Sequence, residues 1–189
     1  MTAHKTTKQK IIAAAKVLFS THGFSRTTIN DIITSTGITK GAFYHYFKSK
    51  EAVCSEIIDE VKNDYQNIFQ SLPKEINPFE KLKTAIFQIL ELNSSGQWVN
   101  CKLMLRLSSE SRLMNLALRQ KSDDFWKWYL EQYQQMITEC REQKLIGNKL
   151  SAAQQTDIII SFLMGNIWTK NIFDKQMDNE TIEHIIEKL

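Results

Sequence analysis

The sequence predicts an all-α chain, and three observations carry that prediction. Apolar residues recur every three or four positions along nearly its whole length, while no segment alternates apolar and polar residues convincingly over the length of a strand. Helix-start residues precede most of these runs, often with an acid or amide three positions on. The chain holds only two prolines, Pro73 and Pro78, which fall between runs.

The elements follow in order. Ile11, Ile12, Ala15, Leu18 and Phe19 form one stripe, and Gly23 ends a first helix over about residues 7–22. Thr28 with Asp31 is a capping-box pattern, so a short helix starts at Ile29 and closes at Gly37, a residue that tolerates left-handed backbone. Thr39 opens the next helix, Lys40 to Tyr46, with Phe43 and Phe47 inward and Lys40, Tyr44 and His45 outward. Ser49 caps a long helix through Val53, Ile57, Val61, Tyr65, Ile68 and Phe69 to about Ser71. Asn77, Pro78 and Glu80 supply the cap, first-turn proline and acid of a helix reaching about Asn93. Further helices are expected at 98–109, at 112–144 with a break near 120, at 152–174 (cap Ser151, Gln154), and at 179–188 (cap Asp178).

Two short helices joined by a glycine turn can read DNA: the second enters the major groove and its first residues meet base edges. Thr39, Lys40 and Gly41 hold that position, the glycine allowing close approach of backbone to duplex. Tyr44, His45, Tyr46, Lys48 and Lys50 are expected near the DNA, the phenols and ammonium groups as phosphate contacts, and Thr27 and Thr28 sit at a helix N-terminus that attracts anions. Charge agrees with this reading. Residues 1–50 carry eight basic residues and one acid, a balance of +7, whereas residues 51–189 carry 16 basic and 20 acidic residues, a balance of −4. Positive charge is concentrated where phosphates would be held.

From Gly23 and Phe24 through Thr27, Thr28, Ile32, Gly37, Ile38, Thr39, Lys40, Gly41, Phe43, Tyr44, Tyr46, Phe47 and Lys48 to Ser49, Lys50 and Glu51, the chain resembles the DNA-binding domain of the tetracycline repressor (TetR) family. The likeness covers about residues 7–53. Ile33 and Thr36 depart from it, standing where the family usually has alanines, and His45 and Tyr46 occupy variable positions. The resemblance implies a three-helix DNA-binding domain, taken as residues 1–50, and a helical domain, 51–189, that dimerises and binds a small effector. It also implies repression of transcription relieved by that effector.

Between Ile158 and Trp168 apolar residues surround the helix axis, so that helix needs covering on more than one side. A second copy is the expected cover, through Ile159, Phe162, Leu163, Gly165 and Trp168, with Ile182, Ile185, Ile186 and Leu189 of the last helix completing a four-helix contact. Candidate effector contacts are Phe69, Phe87, Trp98, Met104, Phe125, Trp128, Tyr129 and Gln132, with Met136 beside them. Such a lining would suit a hydrophobic or aromatic compound, a cationic one included.

Other classes find less support. His4, His22, His45 and His184 have no nucleophile or carboxylate at a recognised catalytic spacing, and no glycine-rich phosphate loop is present, so the chain does not read as an enzyme and no metal or cofactor is expected. No apolar stretch resembles a signal peptide or a membrane span. The three cysteines, Cys54, Cys101 and Cys140, are widely spaced, which fits reduced thiols in the cytoplasm. An activator, or a helical interaction module without an effector, is the alternative reading.

Overall fold

The computed structural model describes residues 6–96, 98–175 and 177–188. Among them the architecture is entirely helical: α1 (Thr7–His22), α2 (Ile29–Thr36), α3 (Lys40–Tyr46), α4 (Lys50–Ser71), α5 (Pro78–Ser94), α6 (Asn100–Ser109), a 3-10 turn (Ser111–Leu113), α7 (Leu116–Glu142), α8 (Ala152–Phe173) and α9 (Asn179–Glu187).

The starts of these helices are where the capping residues place them. Thr28 and Asp31 exchange both hydrogen bonds of a capping box, and so do Ser151 and Gln154. Asn77 accepts from the Glu80 amide with Pro78 in the first turn, and Asp178 accepts from Thr181. The expected helix at 112–144 is shorter. Met114 is extended and Asn115 Oδ1 accepts the Leu118 amide at 2.9 Å, so the helix starts at Leu116 after the 3-10 turn. It runs unbroken through residue 120, where Gln120 Nε2 donates to Asp124 Oδ1.

Packing divides the chain into two units, Met1–Asn63 with Val99–Phe125, and Asp64–Trp98 with Trp126–Leu189. The packing boundary therefore differs from the charge boundary at residue 50. In the first unit α1 packs on α2, α3 and α6. Ile11, Ile12, Ala15 and Phe19 of α1 are buried with Phe24, Ile32, Phe43, Phe47, Val53 and Ile57. Lys121 of α7 ties down α4 by donating to Ser55 Oγ at 2.8 Å and Asp59 Oδ2 at 2.5 Å.

In the second unit α5 packs on α8. Leu82, Ala85, Ile86, Ile89 and Leu90 of α5 are buried, as are Ile159, Leu163 and Ile167 of α8 and Ile182 and Ile186 of α9. Lys83 of α5 pairs with Glu80 at 2.9 Å and lies 3.8 Å from Glu183 of α9.

Candidate nucleic-acid interface

The α2–α3 pair is built by its turn. Gly37 adopts φ 68°, ψ 17°, and its N–H donates to Ile33 O at 2.9 Å, closing α2 where a side chain would be strained. Two residues later Thr39 Oγ1 accepts the Ala42 amide at 3.1 Å and starts α3. Phe43 is the only buried residue of α3 and meets Phe47 with ring centroids 6.2 Å apart. The inward face is thereby fixed.

The outward face presents Thr39, Lys40, Gly41, Tyr44, His45, Tyr46 and, just beyond the helix, Lys48, all exposed. The Thr39 oxygen is engaged as an acceptor while its O–H remains a donor. A Cβ placed on Gly41 would find nothing nearer than Thr39 Oγ1 at 4.0 Å, so the start of α3 is open to a flat or grooved partner. His45 packs edge-on against Tyr46 at 4.9 Å, which steadies two rings that are otherwise surrounded by solvent.

Three of the residues assigned to DNA from sequence are engaged elsewhere. Thr27 is buried and its Oγ1 donates to Gly23 O at 2.7 Å, which makes it a brace of the α1–α2 turn. Thr28 is exposed, but its hydroxyl and its amide both donate to Asp31 Oδ2 at 2.8 Å. These bonds, the backbone one foremost, hold the Asp31 carboxyl below its usual range, so the N-terminus of α2 already has its anion. Lys50 is half-buried; Nζ donates to Phe24 O at 2.7 Å and lies 4.3 Å from the centre of the Phe24 ring. Its charge is spent on fixing α4 to the turn.

Conversely, Arg26 is exposed three residues before α2 and was not singled out in sequence. Its place one residue ahead of the Thr27–Thr28 pair was the available signal. Other N-terminal lysines contribute less to a free positive face: Lys8 pairs with Glu56, and Lys16 lies 3.7 Å from Glu60, both on α4.

The candidate effector contacts divide between the two units. Met104 and Phe125 are buried in the first, and Phe87 lies on α5. In the second, Phe69 meets Trp128, Tyr129 and Tyr133 at 6.0, 6.2 and 5.7 Å, and Tyr65 meets Trp98 and Tyr129 at 4.8 and 5.1 Å. Tyr65 and Tyr133 thus join the aromatic residues read from sequence. Beside them is a cavity of about 120 Å³ lined by Phe69, Leu72, Lys81, Gln132, Gln135, Met136 and Glu139. Sequence found Phe69, Gln132 and Met136 there; Lys81 was missed.

The α8–α9 residues divide in a similar way. Ile159, Leu163, Ile182 and Ile186 are buried within this chain, which satisfies their apolar surface without a partner. Phe162 and Ile185 are half-buried, and Gly165 and Trp168 are exposed; Leu189 lies outside the described residues. The exposed apolar surface instead comprises Ile158, Trp168, Ile172 and Phe173, the last 73% exposed. Ile158, Gly165 and Ile172 are spaced by seven, a repeat that sequence reading passed over.

All three cysteines are buried. Burial pushes the Cys54 thiol up to about 12 and the Cys140 thiol to about 11, so neither supplies thiolate near neutral pH. Among the described residues no cluster of His, Cys, Asp and Glu could hold a metal ion, and no helix is long and apolar enough to cross a membrane.

The chain is similar to several known proteins. An HTH-type transcriptional regulator in the lacX 3′ region of Lactococcus lactis subsp. lactis is 36% identical over 81 residues, 42% of this chain and 41% of that one. The regulator YerO of Bacillus subtilis is 43% identical over 77 residues, 36% of this chain and 27% of its own length. The match thus spans well under half of these two relatives. Among solved structures, the transcriptional regulator FadR from Bacillus subtilis, in complex with stearoyl-CoA, superposes with a TM-score of 0.74 at 22% identity, over 94% of each chain. Residues 11–57, which span most of α1, the whole α2–α3 pair and the start of α4, match the model for "Bacterial regulatory proteins, tetR family".

Proposed function

We propose that this chain is a sequence-specific DNA-binding transcriptional regulator acting as a homodimer, and that it represses until a small effector releases it from a palindromic operator. The observation that carries the reading is the solvent-facing side of α3, where Thr39, Lys40 and Gly41 lie at the helix start with Tyr44, His45, Tyr46 and Lys48 around them. In this reading the first three meet bases, and the phenols and Lys48 hold phosphates with help from Arg26. Lys50 and Thr27 serve as supports of the fold.

Selection from a random duplex pool tests this directly and should recover an inverted repeat. On the recovered duplex, Lys48→Ala should weaken binding about equally for all sequences and reduce the salt slope by about 1, whereas Thr39→Ala or Lys40→Ala should change base preference. Equal losses on every sequence for all three variants would remove the division of roles.

The effector site is proposed beside Phe69, Gln132 and Met136, in the aromatic part of the second unit. That cavity, about 120 Å³, is below the roughly 300–1,000 Å³ of ordinary small-molecule sites. Tyr65, Phe69, Trp98, Trp128, Tyr129 and Tyr133 occupy much of the neighbouring space, which favours a compact hydrophobic or aromatic compound over a long acyl chain. An effector that fits better when this cluster opens would shift the population away from the DNA-binding form. Titration of small aromatic compounds and of stearoyl-CoA, followed by tryptophan fluorescence, should show quenching by the former accompanied by loss of DNA affinity. A compound that quenches yet leaves DNA affinity unchanged argues against release through this cavity.

A further inference from the structure

The segment from His22 to Thr28, which leads from α1 into α2, is held by side chains from far along the chain. Glu110, just past the end of α6, accepts the Ser25 amide on Oε2 at 2.8 Å. Arg106, on the last turn of α6, donates from Nη2 to His22 O at 3.1 Å, and its Nε lies 3.5 Å from Glu110 Oε1. Gly23 sits under the pair at φ 94°, ψ 158°, a backbone conformation closed to other residues, and a methyl group there would overlap the Glu110 carboxylate. Gly23 O accepts from Thr27, and Phe24 O accepts from Lys50.

This arrangement is more than a helix end needs. His22 is exposed, and its carbonyl could turn to water at no loss; the same holds for the Ser25 amide in an exposed turn. Enlisting two charged side chains costs rotamer freedom and, for Glu110, whose side chain is only 15% exposed, part of its hydration. What the pair adds is position. One side chain holds the last carbonyl of α1 and the other holds the turn three residues on, so the α1–α2 angle is set at both ends.

We propose that Arg106 and Glu110 are positioning residues for DNA reading: by fixing the Gly23–Ser25 turn against α6 they set the angle at which α1 carries α2 and α3. The inference rests on the DNA-reading function proposed above. Neither residue touches DNA; Glu110 acts through Ser25 and Arg106 through His22.

Electrostatics gives this proposal a sign that separates it from simple charge effects. Removing an acid from a DNA-binding unit strengthens phosphate attraction, so Glu110→Ala should tighten binding if charge alone matters. If the residue positions the turn, the same change weakens binding, by about 10- to 100-fold on the selected duplex, the range of a lost hydrogen bond to a charged group. Amide hydrogen exchange at Ser25 should rise at least about tenfold in the same variant. Glu110→Gln keeps an acceptor for the Ser25 amide and should recover most of the protection and affinity, and it serves as the test variant should alanine fail to fold. Lys102→Ala, elsewhere on α6, is the control and should leave Ser25 exchange unchanged. Unchanged Ser25 exchange in Glu110→Ala, or faster exchange with unchanged or tighter DNA binding, overturns the proposal. Wild-type protein that binds no duplex from the pool overturns the DNA reading itself, a result distinct from any difference between variants.

Discussion

Replacing Phe43 with alanine is expected to cost about 3–5 kcal/mol, the usual range for removing a fully buried phenylalanine. Helix α3 has seven residues, too few to persist alone in water, and Phe43 is the one it buries completely. Its ring meets Phe47 and Tyr44 with centroids 6.2 and 5.5 Å away, and α3 packs on α1 and α2. Loss of the ring removes the main reason for α3 to stay helical. Against a typical total stability of about 5–15 kcal/mol the loss is large. For a chain of this size it corresponds to a fall of roughly 6–20 °C in the melting midpoint, read by circular dichroism. DNA affinity should fall with it even at temperatures where most of the molecule is folded, because α3 frays first. Tyr44→Ala separates the two effects. That ring is 46% exposed, so the melting midpoint should stay within about 2 °C while DNA affinity drops severalfold. A Phe43→Ala protein melting like wild type would refute this account of α3.

The starts of the helices were legible because each cap is a local event, complete within four residues. Thr28–Asp31, Asn77–Glu80 and Ser151–Gln154 needed nothing from elsewhere in the chain. The start of α7 was equally local, yet Asn115 went unnoticed because Leu113 and Met114 extend an apolar pattern that the backbone interrupts at Met114, an extended residue. The outward face of α3 could be read from one helix's periodicity. Thr27 and Lys50 could not, since their partners, Gly23 and Phe24, are defined by how the turn folds and not by spacing along a helix. Glu110 is the extreme case, with its partner Ser25 at a separation of 85 residues. Aromatic residues of the second unit were visible as stripes, but which of them meet depends on packing among α4, α7 and Trp98. Likewise α8 was correctly read as apolar on several sides. Which side faces its own core was settled only when Ile159, Leu163 and Ile167 proved buried and Trp168, Ile172 and Phe173 did not.

Arginine in place of Gly165 is expected to leave each chain folded and to separate the proposed dimer. Gly165 lies inside α8, where glycine costs about 0.5–1 kcal/mol relative to alanine, yet a Cβ built there meets nothing within 4 Å. Among the described residues, none makes use of the missing side chain. A close neighbour from outside would, and the surface around Gly165 is apolar in the manner such a neighbour requires: Trp168 is 55% and Ile172 54% exposed, with Ile158 one heptad before. In a two-fold contact each glycine would approach the partner's α8, so two arginines would be forced together in a dry interface, at a cost several times that of lost packing. Sedimentation should then show a species of 22.0 kDa where wild type shows twice that mass. DNA affinity should fall by about 10²–10⁴-fold, because two half-sites would no longer be bound by one linked particle. The helix itself should tolerate the change, as arginine is a better helix former than glycine, so the melting curve of the monomer reports any separate damage. A Gly165→Arg protein that still sediments as a dimer and binds DNA as before would place the interface elsewhere. A wild-type monomer with full affinity for an inverted repeat would remove the two-fold model, because one α2–α3 pair reaches only one half-site.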